Sequence, residues 1–193
     1  MNDTRPYAED LEKALEVLRS GGIILYPTDT IWGIGCDATN AKAVAKIYAL
    51  KRREESKSMI VLVASTADFS RYSDAVPDVA YELAELSEKP CTLVLDDAKG
   101  IAANLIADDG SVGIRATREI FSRELCRALR RPLVSTSANI SGKKSAECFA
   151  EIDDEIIAGV DYVVNWRRDD TSKAKPSTVI KIKEDGEFTI LRN

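Results

Sequence analysis

Residues 59–64 read Met-Ile-Val-Leu-Val-Ala, and this run decides the fold class. Six consecutive apolar residues between polar stretches predict a strand that is buried on both faces. Just upstream, Ala43, Val44 and Ile47 recur at helical spacing, and Asn40 is a suitable N-cap for that helix. A helix followed by a strand that is covered on both sides is typical of an α/β domain.

The rest of the chain continues this alternation of helices and strands. Further helices are predicted near residues 11–18, where Gly21 and Gly22 end the helix, and at 78–86 and 119–129. Further strands are predicted at 23–26, 92–95, 111–115, 132–135, 160–164, 178–182 and 188–191. The pattern has no internal repeat, so we expect one α/β domain with a mixed sheet over residues 1–193.

The composition excludes several classes of enzyme. The chain has 193 residues and no histidine, which rules out Ser-His-Asp and Cys-His catalysis and imidazole as a general base. Its formal net charge is −5, which argues against a nucleic-acid binder that relies on overall charge. Any chemistry must therefore use carboxylates, hydroxyls, lysine, arginine and backbone dipoles.

The cysteines and the apolar runs predict a location in the cytoplasm. The four cysteines are widely spaced and form no CxxC pair, so we expect reduced thiols rather than a disulfide framework. The longest apolar run, residues 59–64, is far too short to cross a membrane. No membrane contact is expected.

Polar clusters follow several of the predicted strands. The strongest is 134–142, Val-Ser-Thr-Ser-Ala-Asn-Ile-Ser-Gly, in which hydroxyl and amide groups leave a buried strand and end at a glycine. A similar cluster, 27–30, reads Pro-Thr-Asp-Thr, and the helix before 59–64 ends in Lys51-Arg52-Arg53. The 27–30 cluster is either a capped turn or part of a ligand site. The cations are either a solvated helix end or a clamp for a polyphosphate, formed by Lys51, Arg53 and Lys57.

Three other segments resemble known nucleotide-binding motifs or allow two structural interpretations. Gly33-Ile-Gly35 matches a relaxed dinucleotide-binding pattern, but Pro27 interrupts the approach, so we interpret it as a tight glycine loop. Gly142-Lys143 does not belong to a P-loop, because Ser137 stands where the first glycine is needed. The polar segment 167–176 is either a flexible surface loop or a lid over a site.

Taken in order, five motifs resemble the YrdC-type domain, a family that includes threonylcarbamoyl-AMP synthases and YciO-type proteins. The resemblance extends from about Leu11 to Arg192. The motifs are Tyr-Pro-Thr-Asp-Thr at 26–30 with Trp-Gly and Gly-Cys-Asp after it, Lys-x-Arg at 51–53, Ser-x-Asn with Ser-Gly at 137–142, Pro-Ser-Thr-Val at 176–179 and Ile-Leu-Arg at 190–192.

The resemblance implies a fold and a reaction. The fold is a twisted, curved mixed sheet, flanked by helices, around one deep basic cavity. The reaction joins L-threonine, bicarbonate and ATP, with Mg²⁺, into threonylcarbamoyl-AMP and pyrophosphate. A tRNA-modifying threonylcarbamoyl transferase complex is the implied partner that receives the product. No metal ligand is implied in the protein itself.

The resemblance also assigns roles to individual residues. Lys51, Arg53, Ser137 and Asn139 correspond to the catalytic group beside the phosphates. The L-threonine positions are Thr30, Arg115, Ser135 and Ser177. The ATP positions are Arg53, Lys57, Ser111, Ser137, Ser145 and Arg192.

Two other functions remain open at this point. One is a YciO-like protein that binds double-stranded RNA or tRNA, to which Lys143-Lys144, Arg130-Arg131 and Arg167-Arg168 would contribute a basic face. The other is a nucleotide-binding relative that does not catalyse this synthase reaction.

Overall fold

The computed structural model describes residues 5–55, 58–173 and 175–193. Within them the sheet has the strand order β7-β1-β2-β6-β3-β5-β4-β8-β9. The strands are β1 (Ile24–Tyr26), β2 (Gly33–Gly35), β3 (Ile60–Val63), β4 (Cys91–Leu95), β5 (Val112–Ala116), β6 (Leu133–Ser137), β7 (Tyr162–Val163), β8 (Thr178–Ile182) and β9 (Phe188–Arg192). The helices are α1 (Ala8–Arg19), α2 (Ala41–Lys51), α3 (Asp78–Leu86), α4 (Ile120–Leu129) and α5 (Asp154–Gly159).

The sheet is mixed, which confirms the predicted fold class. β3 pairs in parallel with β5 and antiparallel with β6, while β4 pairs in parallel with β8 and antiparallel with β5. β3 is the predicted apolar strand, and Val61, Leu62 and Val63 on it are buried. Helices cover the sheet, with α1 packed against α4, and α3 packed against β4.

Local signals in the sequence begin and end the helices as predicted. The Asn40 side chain accepts hydrogen bonds from the backbone N–H groups of Lys42 and Ala43 at the start of α2. After α1, Gly21 takes a left-handed conformation with φ at 79°, which glycine adopts at little cost.

The interpretation of Gly33-Ile-Gly35 as a tight loop is wrong, because these residues form β2 between β1 and β6. A Cβ atom on Gly35 would lie 2.5 Å from the Val134 carbonyl oxygen and 2.7 Å from the ring of Tyr26. The glycine therefore allows close strand packing rather than a turn, and it brings Ser137 opposite Gly33.

No helix in the described ranges combines the length and apolar character that a membrane span needs.

Candidate active site

A cavity of about 190 Å³ opens where β2, β3, β5, β6 and β9 meet the Pro-Thr-Asp-Thr loop and the residues just before β8. Side chains from distant parts of the chain line it. The predicted site residues among them are Thr30, Arg53, Arg115, Ser135, Ser137, Ser145, Ser177 and Arg192. The structure thus gathers most of the predicted positions around one concave surface.

Arg115 lies at the base of this cavity, and its side chain is only 3% exposed. One of its Nη atoms lies 3.0 Å from Asp29 Oδ1 and donates a long hydrogen bond of 3.4 Å to Thr30 Oγ1. Its Nε atom is buried with no hydrogen-bond partner. A buried guanidinium with an unused donor is suited to bind a ligand carboxylate or phosphate.

Ser177 connects a second arginine to the same cavity. Arg192 donates from Nε to the Ser177 carbonyl oxygen at 3.0 Å and from Nη2 to the Ser177 hydroxyl at 3.3 Å. The Ser177 hydroxyl in turn lies 2.8 Å from the hydroxyl of Thr92, which is fully buried. These contacts fix Arg192 beside Ser177, at the cavity wall.

The cationic lining has an electrostatic consequence. Burial, together with the positive charge of Arg115, lowers the pKa of Arg192. Arg53, Arg115 and Arg192 line the cavity, and among its described lining residues there is no carboxylate. Like charges held together in a partly dry pocket are stabilised by an anionic ligand.

Arg53 reaches the cavity because the chain turns sharply after α2. Arg52 adopts a left-handed conformation with φ at 50°, and the Arg53 backbone N–H bonds back to the Tyr48 carbonyl. The Arg53 guanidinium donates to the Ser58 carbonyl oxygen at 3.0 Å, at the edge of the cavity.

Lys51 and Asn139 lie behind the cavity wall rather than on it. The Lys51 ammonium is buried and donates to the carbonyl oxygens of Ser137 and Asn139. The Asn139 side-chain amide donates to the carbonyl oxygens of Ile140 and Lys143, at 3.1 and 2.7 Å. Both side chains therefore hold the polar loop that carries Ser137, the member of the Ser-x-Asn pair that faces the cavity.

The two remaining predicted ATP positions are Lys57 and Ser111. Lys57 lies outside the described residues. Ser111 precedes β5, at the opposite end from Arg115, and donates its hydroxyl hydrogen to Asp109 Oδ1 at 2.5 Å. Ser111 and Arg115 are four positions, or about 13 Å, apart along extended chain, so a role for Ser111 in ATP binding would require the nucleotide to extend along β5.

Thr92 and Asp29 do not line this cavity, but each contacts a side chain that does, and the sequence assigned neither a role of its own. Thr92 is a fully buried hydroxyl in the otherwise apolar strand β4, and that pattern was the available signal. Asp29 belongs to the quoted Pro-Thr-Asp-Thr motif, but its ion pair with Arg115 joins residues 86 positions apart and has no local signature.

The polar segment 167–176 is attached to the rim of this region. The Arg167 guanidinium donates to the Thr28 carbonyl oxygen at 3.3 Å, and Lys173 forms an ion pair of 3.3 Å with Glu147. The first contact places Arg167 beside the Pro-Thr-Asp-Thr loop, and the second joins Lys173 to Glu147.

The candidate basic face for RNA is largely neutralised. Within the described chain, four of its six cations form ion pairs with carboxylates: Lys143 with Asp153, Lys144 with Glu147, Arg131 with Asp37 and Arg167 with Asp170. Arg168 instead lies over the ring of Phe149. Paired surface cations attract a phosphate backbone weakly.

A second arginine pocket, of about 290 Å³, is lined by Arg71, Arg127, Arg130 and Arg131. In contrast to Arg115, the paired arginines here are largely exposed: side-chain exposure is 59% for Arg71, 54% for Arg127 and 58% for Arg131. Their partners are Asp68, Glu124 and Asp37.

The chemistry of the first cavity does not suit a dedicated Mg²⁺ site. Among the described residues, no group of three or more cysteine, aspartate or glutamate side chains is placed to hold a metal ion. The cavity offers mainly hydroxyls and guanidiniums. Magnesium ions prefer carboxylate, phosphate and water oxygens, so Mg²⁺ would enter this cavity on the phosphates of a nucleotide.

These features define an α/β protein whose mixed sheet carries an arginine-lined cavity. The family model for Sua5, YciO and YrdC, described as "Telomere recombination", matches residues 16–193, and the chain belongs to this family.

Individual relatives agree with this assignment. A putative threonylcarbamoyl-AMP synthase from Methanocaldococcus jannaschii is 39% identical over 182 residues, which cover 92% of this chain and 84% of that protein. The crystal structure of E. coli YciO is similar at 25% identity, with a TM-score of 0.82 over 96% of this chain and 89% of that one. The crystal structure of P. abyssi Sua5 complexed with L-threonine gives a TM-score of 0.84 at 24% identity, over 95% of this chain. This chain spans about half of that Sua5 chain, 54% of its length.

Proposed function

We propose that the protein is a threonylcarbamoyl-AMP synthase, a nucleotidyltransferase of the cytoplasm. It would join L-threonine, bicarbonate and ATP and release pyrophosphate, and its product would supply a threonylcarbamoyl transferase complex that modifies tRNA. The observation that carries the proposal is the cavity that holds three guanidiniums and several hydroxyls together. The names of the synthase relatives support the particular substrates.

The amino-acid half of the reaction fits the part of the cavity around Arg115. The threonine carboxylate would bind the unused donor of the Arg115 guanidinium. The hydroxyls of Thr30, Ser135 and Ser177 line the same cavity and would bind the threonine hydroxyl and orient its amine. The amine combines with carbon dioxide to give a carbamate, so the nucleophile belongs to the substrate and the protein needs no histidine.

The nucleotide half would use the other cations and hydroxyls that line the cavity. The carbamate oxygen attacks the α-phosphorus of ATP, and the bond to the departing pyrophosphate breaks as the new P–O bond forms. Arg53 and Arg192 would bind the phosphate oxygens and stabilise the growing negative charge, while Ser137 and Ser145 supply hydroxyls. Mg²⁺ would arrive on the triphosphate and neutralise part of its charge.

The size of the cavity limits what it can enclose. Its 190 Å³ is below the roughly 300–1,000 Å³ of typical small-molecule pockets. It therefore suits an amino acid and the reacting phosphate, while the adenosine extends beyond the lining. Enclosing the reacting atoms keeps water from the carbamate and from the mixed anhydride.

A pyrophosphate-release assay tests the proposal. Release should require L-threonine, bicarbonate and MgATP together, and leaving out any one of them should reduce it to background. ATP binding without any release would favour a nucleotide-binding protein without synthase activity. RNA binding that is lost as salt is added, again without release, would favour the RNA-binding alternative.

A further inference from the structure

Lys51 is an unusual lysine for its position. Only 1% of its surface is exposed, and its ammonium donates to two backbone carbonyls, those of Ser137 and Asn139. The backbone carbonyl of Lys51 also accepts a hydrogen bond from the Ser141 N–H at 2.8 Å. Lys51 thus fixes both ends of the short loop that follows β6 and that presents Ser137 to the cavity.

This buried ammonium lacks a counter-ion among the described residues. Among the described carboxylates, none forms an ion pair with Lys51. The charged side chain that acts on it among the described residues is Arg53, two positions further along the chain, and this residue is itself a cation.

An uncompensated charge in a buried place is costly, and a lysine avoids the cost by releasing its proton. Burial, and then the positive charge of Arg53, lowers the pKa of Lys51 to about 7. The neutral amine keeps two N–H donors, enough for the two carbonyls that it binds. The loop therefore stays tied in either protonation state.

We propose that Lys51 is a positioning residue for the Ser137 loop that takes up a proton when a triphosphate enters the cavity. The inference rests on the proposed function, because it takes ATP as the ligand. The incoming phosphates lie against Arg53 and Ser137, which are direct neighbours of Lys51, and their negative charge provides the missing compensation. The proton comes from solvent, so no other group changes its charge.

The direction of the pH dependence follows from linkage. A base whose pKa is higher in the complex than in the free protein binds a proton on complex formation, between the two pKa values. At pH 8 the free lysine is mostly neutral, and we expect nucleotide binding to take up the larger part of one proton. At pH 6 the lysine is already mostly charged, and we expect only a small uptake.

Titration calorimetry of the full chain with MgATP, without threonine or bicarbonate, measures this directly. Binding heats in two buffers of different ionisation enthalpy give the number of protons exchanged. At pH 8 the terminal phosphate of ATP is already ionised and contributes little. The wild-type protein should show the large uptake at pH 8 and the small one at pH 6.

Lys51→Arg separates positioning from proton uptake, because arginine donates to the same carbonyls but remains charged at both pH values. It should bind MgATP with an uptake below about 0.2 proton. The matched control is Lys46→Met on the same helix, whose exposed ammonium also donates to a carbonyl, that of Gly21, at 2.9 Å. This control should keep the wild-type uptake.

The outcomes divide clearly. MgATP binding and synthase turnover without proton uptake at pH 8 in the wild-type protein would overturn this inference alone, and this result does not depend on whether Lys51→Arg folds. A wild-type uptake that Lys51→Arg retains would assign the proton to another group and would also overturn it. If MgATP alone does not bind while pyrophosphate is released with all three substrates, this inference alone fails. If there is neither binding nor release, the proposed function fails, and the inference fails with it.

Discussion

The candidate active site and the second arginine pocket are both lined by several arginines in the described structure, and they differ in what those arginines contact. In the candidate active site, Arg115 is 3% exposed and keeps an unpaired donor. In the second arginine pocket, Arg71 and Arg131 are more than half exposed and are paired with aspartates. The second pocket is the larger, 290 against 190 Å³, but its charges are screened by water and by their partners.

This difference is our reason for ranking burial and unused donors above volume and the number of cations in choosing between the two cavities. A charge interacts more strongly where water is excluded, and a buried donor without a partner has the most to gain from a ligand. We therefore assign the proposed chemistry to the smaller cavity, and substitutions in the two cavities are expected to differ in their effect on activity.

Arg115→Gln should reduce threonine-dependent pyrophosphate release at least a hundredfold, a loss of about 2.7 kcal/mol or more in transition-state stabilisation. It should also lower the free energy of unfolding by about 3–5 kcal/mol, because it leaves the buried Asp29 carboxylate without its partner. Steady-state kinetics and urea unfolding measure the two effects.

The double variant Asp29→Asn with Arg115→Gln is the control for stability. It should recover much of the lost stability, since no buried charge remains, but it should recover none of the activity. Recovery of activity in the double variant would show that Arg115 serves the fold and not the substrate.

Arg53→Ala should lower synthase activity at least tenfold, on the order of 1.4 kcal/mol, because a charged phosphate contact is lost. Pyrophosphate release measures the effect, and circular dichroism checks that the variant is folded. Unchanged turnover in a folded Arg53→Ala protein would rule out the phosphate contact.

Ser177→Ala should raise the KM values for threonine and ATP by about fivefold each, since its hydroxyl links Thr92 and Arg192 at the cavity wall. The loss of a neutral hydrogen bond is worth about 1 kcal/mol. Kinetics with each substrate varied separately measure both constants. An effect on neither KM would mean that this hydroxyl network is only structural.

Arg130→Ala in the second arginine pocket should leave synthase activity within about twofold of wild type, because exposed surface substitutions usually have small effects. The same pyrophosphate assay measures it, beside Arg53→Ala as the matched arginine change. A tenfold loss of synthase activity in Arg130→Ala would contradict the assignment of the chemistry to the smaller cavity.

The sequence predicted the elements of the fold where the side-chain pattern is local. The apolar run at β3, the Asn40 cap and the boundaries of α3 and β8 follow from neighbouring residues, and the structure agrees with them. β2 was missed, because its two glycines carry no apolar pattern and its strand conformation depends on pairing with β1 and β6.

The same distinction between local patterns and long-range contacts holds for the candidate site. Motif resemblance pointed to most of the residues that line the cavity, but it could not distinguish a side chain that faces the cavity from one behind it. Lys51 and Asn139 belong to the quoted motifs, yet they bind backbone carbonyls of the loop. The contact between Asp29 and Arg115 depends on how the sheet aligns β5 beside the Pro-Thr-Asp-Thr loop, which no local pattern encodes.

The most direct test of the central claim is a crystal structure of the protein with L-threonine and MgATP or an unreactive analogue. We expect density for the amino-acid carboxylate at Arg115 and for the triphosphate between Arg53, Ser137 and Arg192. Nucleotide density in the second arginine pocket, with the first cavity empty, would contradict the account.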